Sequence, residues 1–363
     1  MKSNYKRIGV LTGGGDCPGL NAVIRAVVKT AMANNVEVIG IYNGYNGLVN
    51  NQMIKMEDYH VAGILDKGGT ILGTTNRDNP FHFCITEKGE KVFVDKSHQA
   101  LENLKAREIE ALVVIGGDGT IKIANDFCSL GLSVVAVPKT IDNDIPLTER
   151  TFGFDTAVHV ATEALDRLRT TAESHHRVMI LEVMGRYAGW IALHCGIAGG
   201  ADGILIPEIP YQLDAVVDTI NKRISRGKLF SLLVVAEGAK PVGGDVTVAR
   251  IVENSFEKIR LGGVGQKIAH QIEDLTGIES RCTVLGHVQR GGTPTSYDRV
   301  LATRYGVAAV NALLSGHHAH MVALQRNEII TTSIGVVAGK PNNISLDNKL
   351  LQAASLTGVC LGQ

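Results

Sequence analysis

The sequence predicts an α/β fold, with two Rossmann-like three-layer α/β/α domains built on largely parallel sheets. Three observations lead to this prediction. Short runs rich in β-branched residues alternate with segments whose apolar residues recur at helical spacing. Glycine is abundant, with 41 residues, and it is concentrated where predicted strands lead into predicted helices. A chain of 363 residues with 45% hydrophobic content can bury a core in each of two lobes.

The individual elements follow from the same patterns. Buried strands are expected at Ile8–Thr12, Val36–Tyr42, Ala111–Ile115, Ser133–Val137, Val178–Val183, Gly203–Ile206, Ser231–Ala236 and Thr283–Leu285. Helices are expected between several of them, at Leu20–Met32, Thr120–Leu130, Thr156–Thr171 and Tyr187–Ala198. The segment Asn79–Ser97 interrupts the alternation, and its composition indicates a loop or small insertion.

The composition excludes several classes of partner. Lysine plus arginine equals aspartate plus glutamate at 36 each, so no overall field attracts nucleic acid or an anionic membrane. No apolar stretch reaches the roughly 20 residues that span a bilayer, and no signal-peptide pattern is present. We therefore expect a cytoplasmic protein. The six cysteines are far apart and are expected to be reduced thiols that mostly fill the core: Cys17, Cys84, Cys128, Cys195, Cys282 and Cys360.

The first glycine turn, Gly13–Gly15, follows the strand predicted at Ile8–Thr12 and precedes a helix expected to begin near Pro18. Glycines allow the backbone to approach a phosphate, and a helix N-terminus adds unpaired N–H groups and the positive end of a dipole. The alternative is a tight turn that binds nothing.

The second glycine turn, Gly116–Thr120, again leads from a buried strand to a helix start, but it carries Asp118. A carboxylate beside phosphate-binding amides is repulsive unless a divalent cation lies between them. The turn therefore indicates a Mg²⁺-bound nucleotide, unless Asp118 simply caps the following helix. Neither turn matches the Walker or the G-x-G-x-x-G pattern.

An acidic loop, Pro138–Asp144, follows the strand predicted at Ser133–Val137, a place where active sites of α/β sheets gather. In phosphoryl transfer, one carboxylate can accept the proton of an attacking hydroxyl while another orients the base or helps to hold a metal. Asp142 and Asp144 are candidates for these tasks. The alternative is a solvated turn, because Asp and Asn favour turns.

Basic residues lie at the ends of predicted strands in the second half of the chain. They are Arg177, Arg186, Arg281, His287 and Arg290. Guanidinium groups bind phosphate by bidentate donation, although each arginine taken alone is better explained by an exposed salt bridge. As a set they indicate a second, smaller phosphorylated substrate. With the metal-bound polyphosphate expected in the first half, this is the plan of a kinase.

Six motifs occur in the order typical of one family. They are G-G-D-C-P-G-L-N at 14–21, G-G-D-G-T at 116–120, P-K-T-I-D-N-D at 138–144, M-G-R at 184–186, A-E-G at 236–238 and G-H-V-Q-R-G-G at 286–292. Over essentially its whole length the chain resembles the 6-phosphofructokinases, type A, of the mixed-substrate group III.

The resemblance implies transfer of the γ-phosphoryl group of Mg-ATP to the 1-hydroxyl of fructose 6-phosphate, the committed step of glycolysis. Asp142 matches the general base, Arg186 a residue that steadies the transferring group, and Asp118 the Mg²⁺ ligand. The nucleotide positions are Gly15, Arg77, Gly117, Asp118, Gly119 and Thr120. The sugar-phosphate positions are Thr140, Ile141, Asp142, Met184, Gly185, Arg186, Glu237, His287, Val288, Gln289 and Arg290.

The resemblance also implies domains and an assembly. Residues 1–153, with a returning segment at about 289–335, match the nucleotide-binding lobe, residues 154–288 the sugar-phosphate-binding lobe, and 336–363 a C-terminal segment. In the family two arginines reach the sugar 6-phosphate from a neighbouring subunit, and they correspond to Arg177 and Arg281. The expected assembly is a homodimer or homotetramer with shared sites.

The phosphoryl donor depends on two positions with opposite implications. Glycine at 119 is typical of ATP-dependent members, whereas pyrophosphate-dependent members usually have aspartate there. Lys139 is characteristic of pyrophosphate-using and mixed-type members. We expect ATP, because no carboxylate at 119 opposes the nucleotide phosphates. Pyrophosphate-dependent fructose-6-phosphate 1-phosphotransferase is the alternative.

Other functions share parts of this pattern. The G-G-D-G-T turn also occurs in NAD kinases and diacylglycerol-type lipid kinases, but those substrates do not require the later arginine motifs. A non-catalytic sensor on the same fold would be expected to lack Asp118 or Asp142, and both are present. The resemblance further implies weak or altered allosteric control, since Leu229 interrupts a partly retained basic effector pocket of Arg25, Lys29, Arg169, Arg226 and Lys228.

Overall fold

The computed structural model describes residues 5–251 and 259–363. Clustering of contacts divides the chain into two compact units. The first unit comprises Met1–Thr140, Ile145–Gly153 and Arg290–Lys340, and the second comprises Ile141–Asp144, Phe154–Gln289 and Pro341–Gln363.

Strands and helices alternate through most of the described chain. The strands are β1 (Arg7–Thr12), β2 (Glu37–Ile41), β3 (Met53–Met56), β4 (Phe83–Glu87), β5 (Glu90–Val94), β6 (Ala111–Gly116), β7 (Ser133–Pro138), β8 (Val178–Val183), β9 (Gly203–Leu205), β10 (Ser231–Ala236), β11 (Val248–Ile251), β12 (Ile259–Leu261), β13 (Ser280–Val284), β14 (His320–Gln325) and β15 (Glu328–Ser333). The helices are α1 (Leu20–Ala33), α2 (Tyr45–Val49), α3 (Ser97–Ala106), α4 (Asp118–Ser129), α5 (Phe154–His175), α6 (Trp190–Ala198), α7 (Leu213–Ser225), α8 (Val264–Thr276), α9 (Ser296–Leu314), α10 (Ile334–Val337) and α11 (Lys349–Leu356).

The first unit is built on a seven-stranded sheet in the order β15-β14-β7-β6-β1-β2-β3. Its inner pairs are parallel, and the edge strands β3 and β15 run antiparallel to their neighbours. Alternate residues of β6 face opposite sides, so Val114 joins a cluster with Phe127 of α4 while α1 and α9 pack on the other side. Helices thus cover both faces, as parallel strands require.

The second unit is built on a smaller, wholly parallel sheet in the order β13-β8-β10-β9. Val178, Ile180 and Leu233 pack against α7 and α8 in one apolar cluster. Helices α5 and α6 pack on the same sheet through its other buried residues. The predicted α/β class with largely parallel sheets is confirmed.

Most predicted boundaries differ from the observed ones by one or two residues. Strands β8 and β10 have the predicted limits. The strand predicted at Thr283–Leu285 is wrong at its start, since β13 begins at Ser280. The segment read as a loop or insertion at Asn79–Ser97 contains the antiparallel hairpin β4–β5. Its turn residues Lys88 and Gly89 have φ of 50° and 86°, the backbone that two-residue hairpin turns require.

The sequence predicts no segment that spans a membrane. Among the described residues, none of the helices combines the length and the apolar character needed to cross a bilayer.

Candidate active site

The first glycine turn is held in place by the backbone of neighbouring segments. The Gly13 N–H donates to the Ile115 carbonyl (2.9 Å), and the Gly14 N–H donates to the Thr75 carbonyl (3.0 Å). Gly14 has a φ of +80°, a left-handed conformation that glycine adopts without strain. Helix α1 begins at Leu20, two residues later than Pro18, and no side chain caps it. The amides of this helix start are therefore available to an anion.

The second glycine turn packs directly on the first. A Cβ added at Gly116 would lie 2.3 Å from the Cβ of Thr120, and one added at Gly13 would lie 2.7 Å from its Cγ2. Thr120 is buried, and its carbonyl accepts a hydrogen bond from the Tyr45 hydroxyl (2.9 Å). Only residues without a side chain fit on both sides of Thr120. The two turns, β1 to α1 and β6 to α4, thus pack together on Thr120, and we call them the glycine cradle (residues 13–15 and 116–120).

Asp118 is the first residue of α4 and lies partly exposed in the glycine cradle. The N-cap of the helix is Gly117, with no side-chain cap hydrogen bond, so Asp118 is not the cap of this helix. One of its oxygens, Oδ1, accepts a hydrogen bond from the Gly339 N–H (2.7 Å). A carboxylate in the first helical turn is also favoured by the helix dipole.

The described part of the chain contains no group of three or more His, Cys, Asp or Glu side chains that could hold a metal by themselves. Magnesium differs from zinc or calcium in using one or two carboxylates together with substrate phosphates and water. The carboxylate of Asp118 in the first turn of α4 therefore fits this ion and not an all-protein cage.

Gly119 and Arg77 lie at the exposed margin of the cradle. A Cβ added at Gly119 would meet no described atom within 4 Å, so the packing of the chain does not require glycine there. Arg77 follows a turn in which the Thr75 hydroxyl donates to Asp78 (2.9 Å) and accepts from the Arg77 N–H (3.2 Å). That turn fixes the backbone of Arg77 and leaves its side chain exposed.

Lys139 is almost fully buried at the end of β7. Its Nζ donates to the carbonyl of Gly15, and its backbone N–H donates to Gly116 (3.0 Å). The ammonium group thus lies against the glycine cradle and places a positive charge there. The next residue, Thr140, accepts a hydrogen bond from the Thr151 hydroxyl on its carbonyl (2.7 Å).

Residues 141–144 cluster with the second unit. In this segment Ile141 is fully buried, and the neighbouring Asp142 is half-buried. Asn143 is buried with a φ of +53°, a left-handed conformation that asparagine tolerates better than most residues.

The second unit brings the M-G-R and A-E-G motifs into contact. Gly185, after β8, has a φ of +141°, and its carbonyl accepts a hydrogen bond from the Gly238 N–H (3.1 Å). A Cβ at Gly238 would lie 2.1 Å from the Arg186 carbonyl, so this approach requires glycine. The Arg186 guanidinium stacks over the Tyr187 ring at 5.1 Å. Glu237 continues from β10, with its N–H bonded to Val183 (2.9 Å).

The G-H-V-Q-R motif forms a 3₁₀ turn over Gly286–Arg290. Gln289 is fully buried, where its amide donates to the Gly286 carbonyl (3.1 Å) and accepts from the Met184 N–H (3.4 Å). The structure thus links this turn to the M-G-R motif, and it leaves His287 and Val288 exposed. Arg290 belongs to the first unit, where its NH1 donates to the Asp16 carbonyl (3.2 Å).

Arg177 and Arg281 lie at the amino-terminal ends of strands in the second sheet, opposite to the end at which Arg186 lies. Arg177 immediately precedes β8 and Arg281 is near the start of β13, whereas Arg186 follows the end of β8. Since β8 has six residues and a strand rises about 3.3 Å per residue, the two ends of β8 are roughly 20 Å apart. Within one chain, Arg177 and Arg281 cannot contact the same phosphate as Arg186.

Glu279 pairs with both of these arginines, at 2.7 Å for Arg177 and 2.5 Å for Arg281. The hydrogen bond from Arg177 is the main cause that lowers the pKa of Glu279. Both guanidinium groups are therefore held at the amino-terminal ends of β8 and β13, where Arg281 is exposed and Arg177 is partly buried.

A model of the family described as "Phosphofructokinase" matches residues 7–313 of this chain. The chain belongs to the phosphofructokinase family. ATP-dependent 6-phosphofructokinase 2 of Clostridium perfringens is 52% identical over 362 residues, 99% of both chains. The pyrophosphate–fructose 6-phosphate 1-phosphotransferase of Amycolatopsis methanolica is 49% identical over 330 residues, 90% of this chain and 93% of that protein. Among solved structures, a phosphofructokinase of Saccharomyces cerevisiae superposes with a TM-score of 0.78 at 34% identity, covering 92% of this chain and 45% of the yeast chain.

These findings confirm the family resemblance from which the site residues were predicted.

Polar residues outside the family motifs also contribute to the site region of the second unit. The carboxylate of Glu208 accepts hydrogen bonds from the N–H groups of Gly189 (3.1 Å) and Ile344 (2.9 Å), and burial raises its pKa. Trp190 donates its indole N–H to the Asn342 carbonyl (2.8 Å). Glu208 carried one usable signal in the sequence, an acidic residue just after the strand predicted at Gly203–Ile206.

Two of the five basic residues of the predicted effector pocket have partners within the chain. Lys29 forms an ion pair with Asp58. Arg169 donates to the carbonyls of Gly199 and Gly200, the latter at 3.1 Å. An anionic effector would have to compete with these contacts.

Proposed function

We propose that this chain transfers the γ-phosphoryl group of ATP, with Mg²⁺, to the 1-hydroxyl of fructose 6-phosphate and yields fructose 1,6-bisphosphate, the committed step of glycolysis. The observation that carries the proposal is the glycine cradle, in which two strand-to-helix turns share Thr120 and present backbone amides beside Asp118. The family to which the chain belongs and the names of its relatives support the same reaction.

In this proposal the glycine cradle binds the nucleotide phosphates. The amides of Gly15, Gly117 and Gly119 and the start of α4 donate to phosphate oxygens, as at other helix N-termini. Arg77, at the exposed margin, would contact the nucleotide. Lys139 adds a positive charge beside Gly15. Each of these groups stabilises negative charge without taking part in covalent chemistry.

Asp118 is the residue that would hold Mg²⁺. A magnesium ion held there would supply positive charge that offsets the negative charge on the phosphates during the transfer. The role of the protein is to keep one carboxylate oriented at the start of α4, and the hydrogen bond from Gly339 does this.

Asp142 is proposed as the general base. Its carboxylate accepts the proton of the 1-hydroxyl as that oxygen bonds to the γ-phosphorus, and the bond from phosphorus to the bridging oxygen of ADP breaks. The Arg186 guanidinium steadies the transferring phosphoryl group. Thr140, Ile141, Met184, Gly185 and Glu237 lie on the segments that would orient the sugar.

The sugar 6-phosphate is proposed to bind basic groups of two chains. His287 and Arg290, with Val288 and Gln289 in the same turn, come from one subunit. Arg177 and Arg281 would come from its neighbour, because they lie at the far edge of their own sheet. The proposed assembly is therefore a homodimer or homotetramer, located in the cytoplasm, in which each site uses two chains.

ATP is favoured over pyrophosphate by the open position at Gly119. A packing constraint would also select glycine, but nothing among the described atoms imposes one. Room for the larger donor is the remaining explanation. Pyrophosphate stays the second candidate because Lys139 is present and because the Amycolatopsis methanolica relative is named for that donor.

A coupled assay tests the proposal directly. Purified protein with fructose 6-phosphate and Mg²⁺ is supplied with either ATP or pyrophosphate, and formation of fructose 1,6-bisphosphate is followed through aldolase and a dehydrogenase. We expect the higher kcat/KM with ATP. Faster turnover with pyrophosphate would transfer the proposal to the second donor, and turnover with neither would refute it.

A further inference from the structure

The acidic loop is held by a segment near the C-terminus that no family motif includes. We propose that Asn342 is a positioning residue for Asp142, and that residues 341–344 form a strap that joins the acidic loop to the start of α6. This inference rests on the proposed function, since it assigns Asn342 a role in the orientation of the proposed base.

Asn342 contacts two consecutive residues of the acidic loop. Its backbone N–H donates to the carbonyl of Asp144 (2.8 Å). Its side-chain amide donates to the carbonyl of Asn143 at 3.5 Å, a long hydrogen bond. Both bonds act on the residues immediately after Asp142, so a shift of Asn342 moves the backbone that carries the carboxylate.

The strap itself is fixed at two points on the start of α6. The Trp190 indole N–H donates to the Asn342 carbonyl at 2.8 Å, and Trp190 is the first residue of the helix. Two residues beyond Asn342, the Ile344 N–H donates to Glu208, whose carboxylate also accepts from Gly189, the N-cap of α6. Ile344 is buried. Helix α6 begins four residues after Arg186, so the strap connects the loop of the proposed base with the segment that follows the M-G-R motif.

The conformation of the acidic loop explains why it needs this support. Asn143 is buried in the left-handed region, with φ of +53°, a conformation that costs energy for any residue with a side chain, although asparagine tolerates it better than most. Such a backbone persists only when its surroundings hold it. Asn342 provides two of the bonds that do so, one to the carbonyl of the Asn143–Asp144 peptide unit and one to the carbonyl of the following peptide unit.

Three variants and one control test the role of Asn342. Asn342→Ala removes the side-chain donor, Asn342→Asp replaces it with an acceptor that faces the Asn143 carbonyl, and Trp190→Phe removes the indole N–H while keeping an aromatic ring. Asn343→Ala is the matched control, because Asn343 is the exposed neighbour on the same strap. Trp190→Phe keeps the test valid if an Asn342 variant fails to fold.

We expect kcat to fall by about tenfold to a hundredfold for the Asn342 variants, because a shift of about 1 Å in a reacting group has an effect of that size. The KM for fructose 6-phosphate should change by less than about threefold, since none of the described hydrogen bonds of residues 341–344 involves the proposed 6-phosphate ligands. Trp190→Phe should act in the same direction to a smaller extent, and Asn343→Ala should match the unmodified chain. An equal effect of Asn343→Ala, or a loss expressed mainly in KM, would overturn the proposal.

A double variant separates positioning from an independent role. If Asn342 acts through Asp142, then Asn342→Ala should cause no further loss of kcat in an Asp142→Ala background. A full additional loss there would show that Asn342 acts on something else and would overturn the inference.

Hydrogen–deuterium exchange tests the strap without any assumption about the reaction. Peptides that cover residues 139–147 should exchange at least about fivefold faster in Asn342→Ala and Trp190→Phe than in Asn343→Ala, because the bonds to the loop carbonyls hold its backbone. Faster exchange in a protein without kinase turnover would refute the proposed function and keep the strap. Unchanged exchange in an active enzyme would refute the strap alone.

Discussion

Replacing Gly119 with aspartate should impair the use of ATP without unfolding the protein. Gly119 is the second residue of α4, it is exposed, and an added Cβ meets no described atom within 4 Å. A glycine in a helix loses more conformational entropy on folding than alanine does, and this loss destabilises the helix by about 0.5–1 kcal/mol. Replacing Gly119 removes this cost. A carboxylate in the first turn gains a further 0.3–1 kcal/mol or so from the helix dipole. Because aspartate is a poorer helix former than alanine by up to about 0.7 kcal/mol, the free energy of unfolding should be unchanged or up to about 1.5 kcal/mol higher.

The expected effect on ATP comes from charge. Two like charges about 4 Å apart repel by about 4 kcal/mol at an effective dielectric constant near 20. Because position 119 is exposed, we take half of this value as the lower bound, about 2 kcal/mol. At about 1.4 kcal/mol for each factor of ten, kcat/KM for ATP should fall by roughly 30-fold to 1,000-fold.

The assay is steady-state kinetics at saturating fructose 6-phosphate, with ATP and pyrophosphate tested separately and thermal unfolding measured in parallel. Gly119→Ala is the matched control, since it adds the Cβ without the charge and should change kcat/KM for ATP by less than about fivefold. The reasoning is refuted if Gly119→Asp keeps its kcat/KM for ATP within threefold of the unmodified chain. It is also refuted if the alanine variant loses as much as the aspartate variant, since size would then explain the loss.

Three further predictions follow from the same structure. Asp142→Ala should keep fructose 6-phosphate binding, measured by calorimetry, while kcat falls about a hundredfold to ten-thousandfold, so near-normal kcat would remove Asp142 as the base. Arg281→Ala should raise the KM for fructose 6-phosphate. When the Arg281→Ala and Asp142→Ala proteins are dissociated and reassociated together, the mixed oligomers should regain activity. No recovery in verified mixed oligomers would contradict shared sites. Cys17 and Cys195 are buried, and burial raises the pKa of each thiol to about 12. After iodoacetamide treatment at pH 8, mass spectrometry should find both thiols unmodified in the native protein and alkylated after denaturation. Rapid labelling of the native protein would contradict their burial.

The buried strands could be predicted well because their local signal is strong. A central strand of a parallel sheet is apolar on both faces, so a run such as Val178–Val183 stands out from its surroundings without knowledge of its partners. The start of α4 was placed two residues late, at Thr120. Asp118 and Gly119 are polar or weak helix formers, and nothing local shows that the helix includes them.

The hairpin β4–β5 was not predicted because its apolar pattern is weak. Phe93 and Val92 are partly exposed on β5, and the turn is formed by Lys88 with Gly89 instead of the Asn-Gly pair that favours such turns. Its stability depends on packing against the unit and not on a local sequence preference.

The arrangement of the arginines required strand direction. Arg177 precedes β8 and Arg186 follows it, so the two residues must lie at opposite ends of the strands of this parallel sheet. Grouping them as residues at strand ends concealed this difference. The order of residue and strand along the chain is sufficient to show that Arg177 and Arg186 lie at opposite ends of β8.

The strap could not be predicted from the sequence. Asn342 is separated from Trp190 by 152 residues and from Asn143 by 199, and its contacts use mostly backbone atoms. Backbone donors and acceptors are the same for every residue type except proline, so no pattern of residue types records such contacts. Glu208 differs because a half-buried carboxylate that follows a strand is unusual, and its type and position together form a signal.

The acidic loop and the glycine cradle determine different parts of the reaction. Lys139 places its ammonium group against the Gly15 carbonyl, where a positive charge favours the phosphates of ATP and of pyrophosphate alike. Its presence therefore does not select the donor. Gly119 lies where an added side chain would meet no described atom within 4 Å, and we predict that the residue at this position distinguishes a nucleotide from the smaller donor. Donor choice in this chain should depend on residue 119, with Lys139 acting on affinity for either donor.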